Sequence, residues 1–373
     1  MIIRSVKARI INNSRKKPAI EIIINKKFKA SAPSGASTGT HEVQAFPSQG
    51  IKFVVKYINK SNLFKGIRIN EFKDLKIFDN LLPILGGNPV IALQFAALKA
   101  VSNNKIYKFL NPKAKHLPIP LGNCVGGGAH SKESTLDIQE YLLIPQLKSF
   151  KENANLNDKI YEKLKKVLKT KKTTDESALI PKESDIEVFK IIKEVIKNHP
   201  MKLGIDMAAS QFYKEPYYVY KNFNKKKKIM KLNREKQIKF VNELIKDYDL
   251  IYVEDPLHEE DFKGFKHIKN TLNCGDDLIA TDLQRLKRAK KGINCVIIKP
   301  NQIGSLIKTK EIVDFAHNNN ITTVISHRSG ETMDTTIAHL AVAWNIPYIK
   351  CGIKGKERIA KIKELIKIEK QIK

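Results

Sequence analysis

Cys295-Val296-Ile297-Ile298-Lys299 is an apolar run that stops on a lysine, and five neighbours in the second half of the chain repeat the pattern. They are Leu203-Gly204-Ile205-Asp206, Ile251-Tyr252-Val253-Glu254, Cys274-Gly275-Asp276, Thr322-Thr323-Val324-Ile325-Ser326-His327 and Pro347-Tyr348-Ile349-Lys350. The first gap is about twice as long as the rest, which each suit one strand and one helix. Val- and Ile-rich runs alternating with helical stretches read as parallel strands of an α/β barrel. In such barrels the active site forms at the C-terminal strand ends. Three carboxylates, two lysines and a histidine therefore converge on one rim, an inventory suited to metal-assisted proton abstraction.

Working outward, 373 residues can bury a large core and suggest two structural units. An apolar fraction of 42% with 28% charged residues reads as globular rather than disordered. The best membrane candidate, Val90 to Val101, is too short and contains Gln94. The opening MIIRSVKARI lacks the apolar core and cleavage site of a secretory signal, so a cytoplasmic protein is expected. Cys124, Cys274, Cys295 and Cys351 have no CxxC spacing, which fits buried thiols in a reducing compartment better than disulfides or zinc.

The net charge of +30 comes mostly from dispersed lysines, with one small cluster at Lys225 to Lys228. No arginine-rich stretch or aromatic interleaving accompanies it, so nucleic acid is not the expected partner. The field would speed encounter with an anionic substrate.

Residues 1–112 read as a small α+β unit, with strands in SVKARI and AIEIIINKKFKASAP and helices around Glu42 to Asn62 and Ala92 to Leu110. A proline-punctuated connector leads to the barrel, residues 118–373. Gly122 to His130 is expected to be irregular, and Glu357 to Ile372 an amphipathic helix with its lysines in solvent. Ser31 to Glu42, rich in small residues, is expected to be a loop able to cover a ligand, with Ser37 presenting its oxygen.

PSGASTG with HE, then GGGAH, DIQEYLLIP, VEDP, GDDL, IKPNQIGS and SHRSGET occur in that order. Together they resemble the enolase family across nearly the whole chain. The resemblance implies an α/β protein: a small α+β N-terminal domain, then an eight-stranded TIM-like barrel of the enolase type. It implies a homodimer that dehydrates 2-phosphoglycerate to phosphoenolpyruvate with two Mg²⁺ ions per site. By the resemblance, Asp206, Glu254 and Asp276 bind metal, with Ser37 as a further ligand; hard Mg²⁺ prefers such oxygens. Lys299 would be the general base, in a cationic surrounding that lowers its pKa, following the superfamily's use of a Lys or His base with Mg²⁺. Glu176 and Glu140 would serve the leaving hydroxyl. Lys350 would hold the substrate carboxylate, Arg328 and Ser329 the phosphate, and His130, Gln139 and His327 further substrate contacts.

Two departures from the family pattern stand out. Its GDEGG loop reads Thr174-Asp175-Glu176-Ser177-Ala178 here, without the glycines. Its SRGNPTVE segment, near the family's dimer contact, carries Lys16 and Lys17. Two rival readings are an acid-sugar dehydratase of the same superfamily and a catalytically weakened paralogue binding RNA or another polyanion. The retained Arg328, Ser329, Lys299 and Glu176 argue against both.

Overall fold

The computed structural model describes residues 1–372 except 36–39, 129–135 and 225–228. Ser37, His130 and the Lys225–Lys228 cluster lie outside the described residues.

The chain opens with an antiparallel sheet of β1 (Val6–Asn12), β2 (Pro18–Ile24) and β3 (Phe28–Ser31). Alternation of Ile20, Ile22 and Ile24 puts their side chains on one face, where they are fully buried. Helix Gly87–Val101 packs against that face and is buried nearly all round. The helix expected over Glu42 to Asn62 spans only Gly50–Lys60. Residues 43–45 are irregular instead, because the carbonyls of Gln44 and Ala45 accept from Gly87 N (2.8 Å) and Asn88 N (3.1 Å), while Val43 N donates to Gln302 O. A Cβ on Gly86 would meet this backbone at 2.8 Å, and its φ of +81° is one glycine adopts freely. The helix expected over Ala92 to Leu110 is two, Gly87–Val101 and Ile106–Leu110. They are broken at Asn103 and Asn104, both with positive φ.

The barrel closes through β4 (Ile119–Gly126), β5 (Glu140–Pro145), β6 (Met201–Asp206), β10 (Leu250–Glu254), β11 (Leu272–Gly275), β12 (Cys295–Ile298), β13 (Thr322–Ser326) and β14 (Tyr348–Lys350). A small sheet of β7 (Tyr213–Lys214), β8 (Tyr217–Tyr220) and β9 (Met230–Leu232) sits between β6 and β10. All neighbours in the barrel are parallel except at β5, which runs antiparallel to both β4 and β6. The antiparallel strand puts its first residue, Glu140, opposite the last residue of β6, Asp206. An N-terminal strand residue thereby joins a rim otherwise built from C-terminal ends.

Inward-pointing Leu121, Leu142, Ile144, Tyr252, Cys274, Cys295, Ile297 and Val324 fill the barrel interior. Complete burial of each large apolar side chain there stabilises by about 1.5–3 kcal/mol, so the interior is a packed core beneath the site. All four cysteines are free and buried.

Two expectations are corrected here. Gly122 to Gly126 is part of β4, not irregular. These glycines serve close packing: a Cβ on Gly122 would meet Asn157 at 2.7 Å, and one on Gly126 would meet Thr174 at 2.8 Å. The closing helix is Lys356–Ile372, but Lys361 and Arg358 on it are buried. Lys361 Nζ donates to Thr332 O (2.9 Å) and pairs with Glu331 (3.3 Å), which satisfies the charge away from water.

Candidate active site

The cavity at the rim has an empty volume of about 540 Å³. Its walls include Glu42, Gln139, Glu140, Glu176, Asp206, Asp276, Lys299, His327, Arg328, Ser329 and Lys350. Among the described residues, every position expected from the sequence except Glu254 lines this cavity, and Glu254 is fully buried against Lys350.

Lys350, at the end of β14, is the hub of one side. Its Nζ lies 2.9 Å from Asp206 Oδ2, 2.9 and 3.0 Å from the Glu254 oxygens and 3.0 Å from Glu140 Oε2. Burial alone would lower the pKa of this lysine. The surrounding Asp206, Glu140 and Glu254 outweigh it and hold the ammonium charged well above its usual range. Tyr252, two residues before Glu254 on the same face, donates its hydroxyl to Glu254 at 2.6 Å. Gln139 Nε2 donates to Asp206 (3.1 Å) and is itself fixed by Gln211 (2.7 Å).

On the opposite side Lys299 contacts Asp276 directly, and Gln302 also donates to Asp276 at 3.3 Å. The expectation of a lowered Lys299 pKa is not met. Burial lowers it, but the Asp276 carboxylate overrides burial and Lys299 stands above its ordinary value. The same pair holds Asp276 below the usual carboxylate range despite burial. Thr281 ties the base of this side together, accepting from Lys299 N (3.0 Å) and donating to Gln302 Oε1 (2.6 Å).

Glu176 comes from the Thr174–Ala178 loop. Thr174 Oγ1 accepts from the backbone of Glu176 and Ala178, both at 3.2 Å, and Tyr161 donates its hydroxyl to Ser177 O at 2.8 Å. Ser177 takes a left-handed φ of +66° in place of a glycine. Arg15 reaches from the N-terminal unit to Asp175 at 3.1 Å. So held, Glu176 faces His327 (3.3 Å) and Asn123 (3.4 Å). Burial, opposed by Glu176, leaves His327 below its ordinary pKa.

The third wall is the His327-Arg328-Ser329-Gly330 turn after β13. Arg328 is buried and donates to Glu42 and to Asn301 Oδ1. Ser329 Oγ is buried and has no hydrogen-bond partner among the described residues. Gly330 pairs with Ser34 through two 2.9 Å backbone hydrogen bonds, which docks the N-terminal unit on the rim. A Cβ there would meet Asn13 at 2.6 Å.

Sequence reasoning missed several residues. Asp255 accepts from Asp276 N (3.0 Å) and Asp277 N (2.7 Å), fixing that turn. Asp255 and Asp277 adjoin the expected ligands in VEDP and GDDL, so adjacency was the available signal. Glu42, Gln211, Gln302 and Asn301 carried none beyond lying in or near quoted motifs. One oxygen each of Asp255, Asp276 and Asp277 lies within 4.8 Å of the others, a group able to hold a metal ion. The charge balance of the rim points the same way. Burial pushes Asp277 up to about 7, with Asp276 as the next cause. It pushes Glu254 up, aided by Asp206, and Asp255 up, aided by Asp277. Such crowded, desolvated carboxylates favour an added cation.

A barrel whose rim sets paired lysines against buried carboxylates, beside an arginine and serine suited to an anion, has the make-up of an enzyme that moves a proton on an anionic substrate. The family described as enolase, C-terminal TIM barrel domain, matches residues 114–373. The enolase of Methanothermobacter thermautotrophicus is 38% identical over all of this chain and 97% of its own length. That of Archaeoglobus fulgidus is 38% identical over 99% of this chain and 97% of its own length. That of Ehrlichia ruminantium is 35% identical over 99% and 96%. The chain belongs to the enolase family. Its activity is that of a phosphopyruvate hydratase, a carbon–oxygen lyase that converts 2-phosphoglycerate to phosphoenolpyruvate, and neither rival reading is favoured.

Proposed function

We propose that this chain carries out the reversible dehydration in glycolysis and gluconeogenesis with Lys299 as base and Mg²⁺ as cofactor, two ions per site. The observation that carries the reading is the convergence of Asp206, Glu254 and Asp276 from β6, β10 and the end of β11 between Lys299 and Lys350. These three carboxylates would hold the first ion. Asp255 fits that role less well, because both of its oxygens already accept backbone N–H groups. Ser37 is the proposed ligand of the second ion. The bound cations would supply positive charge to stabilise the dianionic intermediate.

The chain's own residues divide the remaining work. Lys299 abstracts the C2 proton; it must be neutral to do so, which requires Asp276 to be engaged elsewhere. Lys350 orients the substrate carboxylate. Arg328 and Ser329 Oγ bind the phosphoryl group, where a guanidinium fork suits phosphate oxygens. Glu176 moves a proton toward the departing C3 hydroxyl, with Glu140 assisting and His327, Gln139 and His130 completing the pocket. Homodimer assembly and a cytoplasmic site belong to the same reading. So does the division near residues 112–118, supported by β4 opening the barrel at Ile119.

The direct test is to follow the ultraviolet absorbance of phosphoenolpyruvate after mixing the protein with 2-phosphoglycerate and Mg²⁺. No absorbance change at any Mg²⁺ concentration would overturn the assignment.

A further inference from the structure

Arg328 is not presented to the cavity as an open cation. Its Nη2 donates to both oxygens of Glu42, at 2.9 Å each, and its Nη1 to Asn301 Oδ1 at 3.2 Å. The two charged side chains are 4% and 6% exposed, so the pair is desolvated and little screened. Glu42 is steadied in turn by Gln302 Nε2 at 3.3 Å. Asn301 is steadied by Asn88, whose Oδ1 accepts from Asn301 Nδ2 at 3.1 Å. Glu42 also lines the same cavity as Ser329, whose Oγ lacks a partner among the described residues. A carboxylate thus occupies part of the guanidinium fork assigned above to the phosphoryl group.

We propose that Glu42 is a specificity-determining residue: an internal anion that competes with the incoming phosphoryl group for Arg328. The physical reason is symmetry of chemistry. Carboxylate and phosphate make the same charge-assisted bonds to a guanidinium, so whichever brings more charge to the better geometry holds the donors. A phosphate dianion outbids one carboxylate, whereas a singly charged anion does not. Glu42 therefore lowers phosphate affinity and rejects weaker anions, a repulsive element of specificity. This inference rests on the reading that Arg328 binds phosphate.

The test uses the full chain with inorganic phosphate as probe, read as competitive inhibition and by calorimetry. Glu42→Gln keeps the shape and removes the charge. It is expected to tighten phosphate binding by about tenfold and lower KM for 2-phosphoglycerate, consistent with the strength of one charged hydrogen bond. Acetate, which is not expected to inhibit the native protein, should become a measurable inhibitor. Glu42→Asp, which withdraws the carboxylate without removing it, should give a smaller shift in the same direction and decides the matter if the Gln variant fails to fold. Unchanged or weaker phosphate binding in a folded Glu42 variant overturns the proposal. Arg328→Gln separates the two readings. If it binds phosphate as well as the native chain, the phosphate assignment itself fails. If it loses phosphate while Glu42→Gln gains none, only the role of Glu42 fails.

Discussion

Lys350 and Asp206 lie 144 residues apart in sequence and meet at 2.9 Å across the barrel mouth, from β14 and β6. The two strands are separated in the barrel by β4 and β5, so only an inward-pointing long side chain closes the gap. One ammonium thereby neutralises part of a carboxylate group that a divalent cation would also neutralise.

Lys350→Met should make this competition visible. Removing the cation leaves Asp206, Glu254 and Glu140 buried without it, which costs about 3–5 kcal/mol. Thermal melting in EDTA should fall accordingly and recover substantially when Mg²⁺ is added. Divalent-cation affinity should hold or rise while turnover is lost. A variant with a native melting temperature in EDTA would refute this account of the hub.

Lys299→Ala should abolish both dehydration and exchange of the C2 proton with solvent, because both begin with the same abstraction. Glu176→Gln should cripple dehydration yet keep exchange, since Lys299 still works. NMR of substrate in D₂O reads both at once. Full exchange in Lys299→Ala would mean that another group is the base.

Asp276 is common to the metal-ligand set proposed above and to the Asp255–Asp276–Asp277 group. Asp276→Asn should raise the Mg²⁺ concentration giving half-maximal activity by more than tenfold, a lower bound set by the 10–100-fold losses seen on mutating mere supports of ligands. EDTA should silence the native protein, and metal-independent turnover would count against the scheme.

The Thr174–Ala178 loop should tolerate one glycine better than the other. Ser177 sits at φ +66°, where glycine removes strain of order 1 kcal/mol but loosens the unfolded chain, so Ser177→Gly should change stability by less than about 1 kcal/mol. Ala178 is fully buried, and its methyl packs near Gly126, so Ala178→Gly should destabilise by about 1 kcal/mol. Neither should raise activity, because Thr174 and Tyr161 already hold the loop in place. A gain of tenfold or more in the double variant would show the native loop to be defective.

Asp185 provides a pH test. It is buried where it accepts from the backbone of Asp137 and Ile138 and from the Tyr141 hydroxyl, just before Gln139 and Glu140. Burial is the main cause raising its pKa from 3.8 to about 7. A folded value above the unfolded one means its contribution is fully present below about pH 4 and is lost as pH rises through about 7. The native chain should therefore lose on the order of 3 kcal/mol relative to Asp185→Asn between pH 4 and pH 8. Parallel urea titrations of the two proteins at several pH values measure this, and a pH-independent difference would contradict it.

Much of this site was legible before any coordinates. Asp206, Glu254, Asp276, Lys299, His327 and Lys350 each end or directly follow an apolar run. Such a run buried inside a barrel can end on a charged group only at its rim, so local pattern and global topology share one cause. Other features depended on contacts between distant segments. The reversed direction of β5 puts Glu140 at the rim, and Gly122 and Gly126 lie in β4 through pairing with β5, where Asn157 and Thr174 leave no room for a Cβ. Lys361 looked like one more solvated lysine until Thr332 and Glu331 enclosed it. The sign of the Lys299 shift followed from the nearness of Asp276, and the Glu42–Arg328 pair joins residues 286 positions apart. Charges at strand ends are determined by what each run must bury; which charges meet is decided by packing, because pair energies depend on distances and desolvation that no local pattern carries.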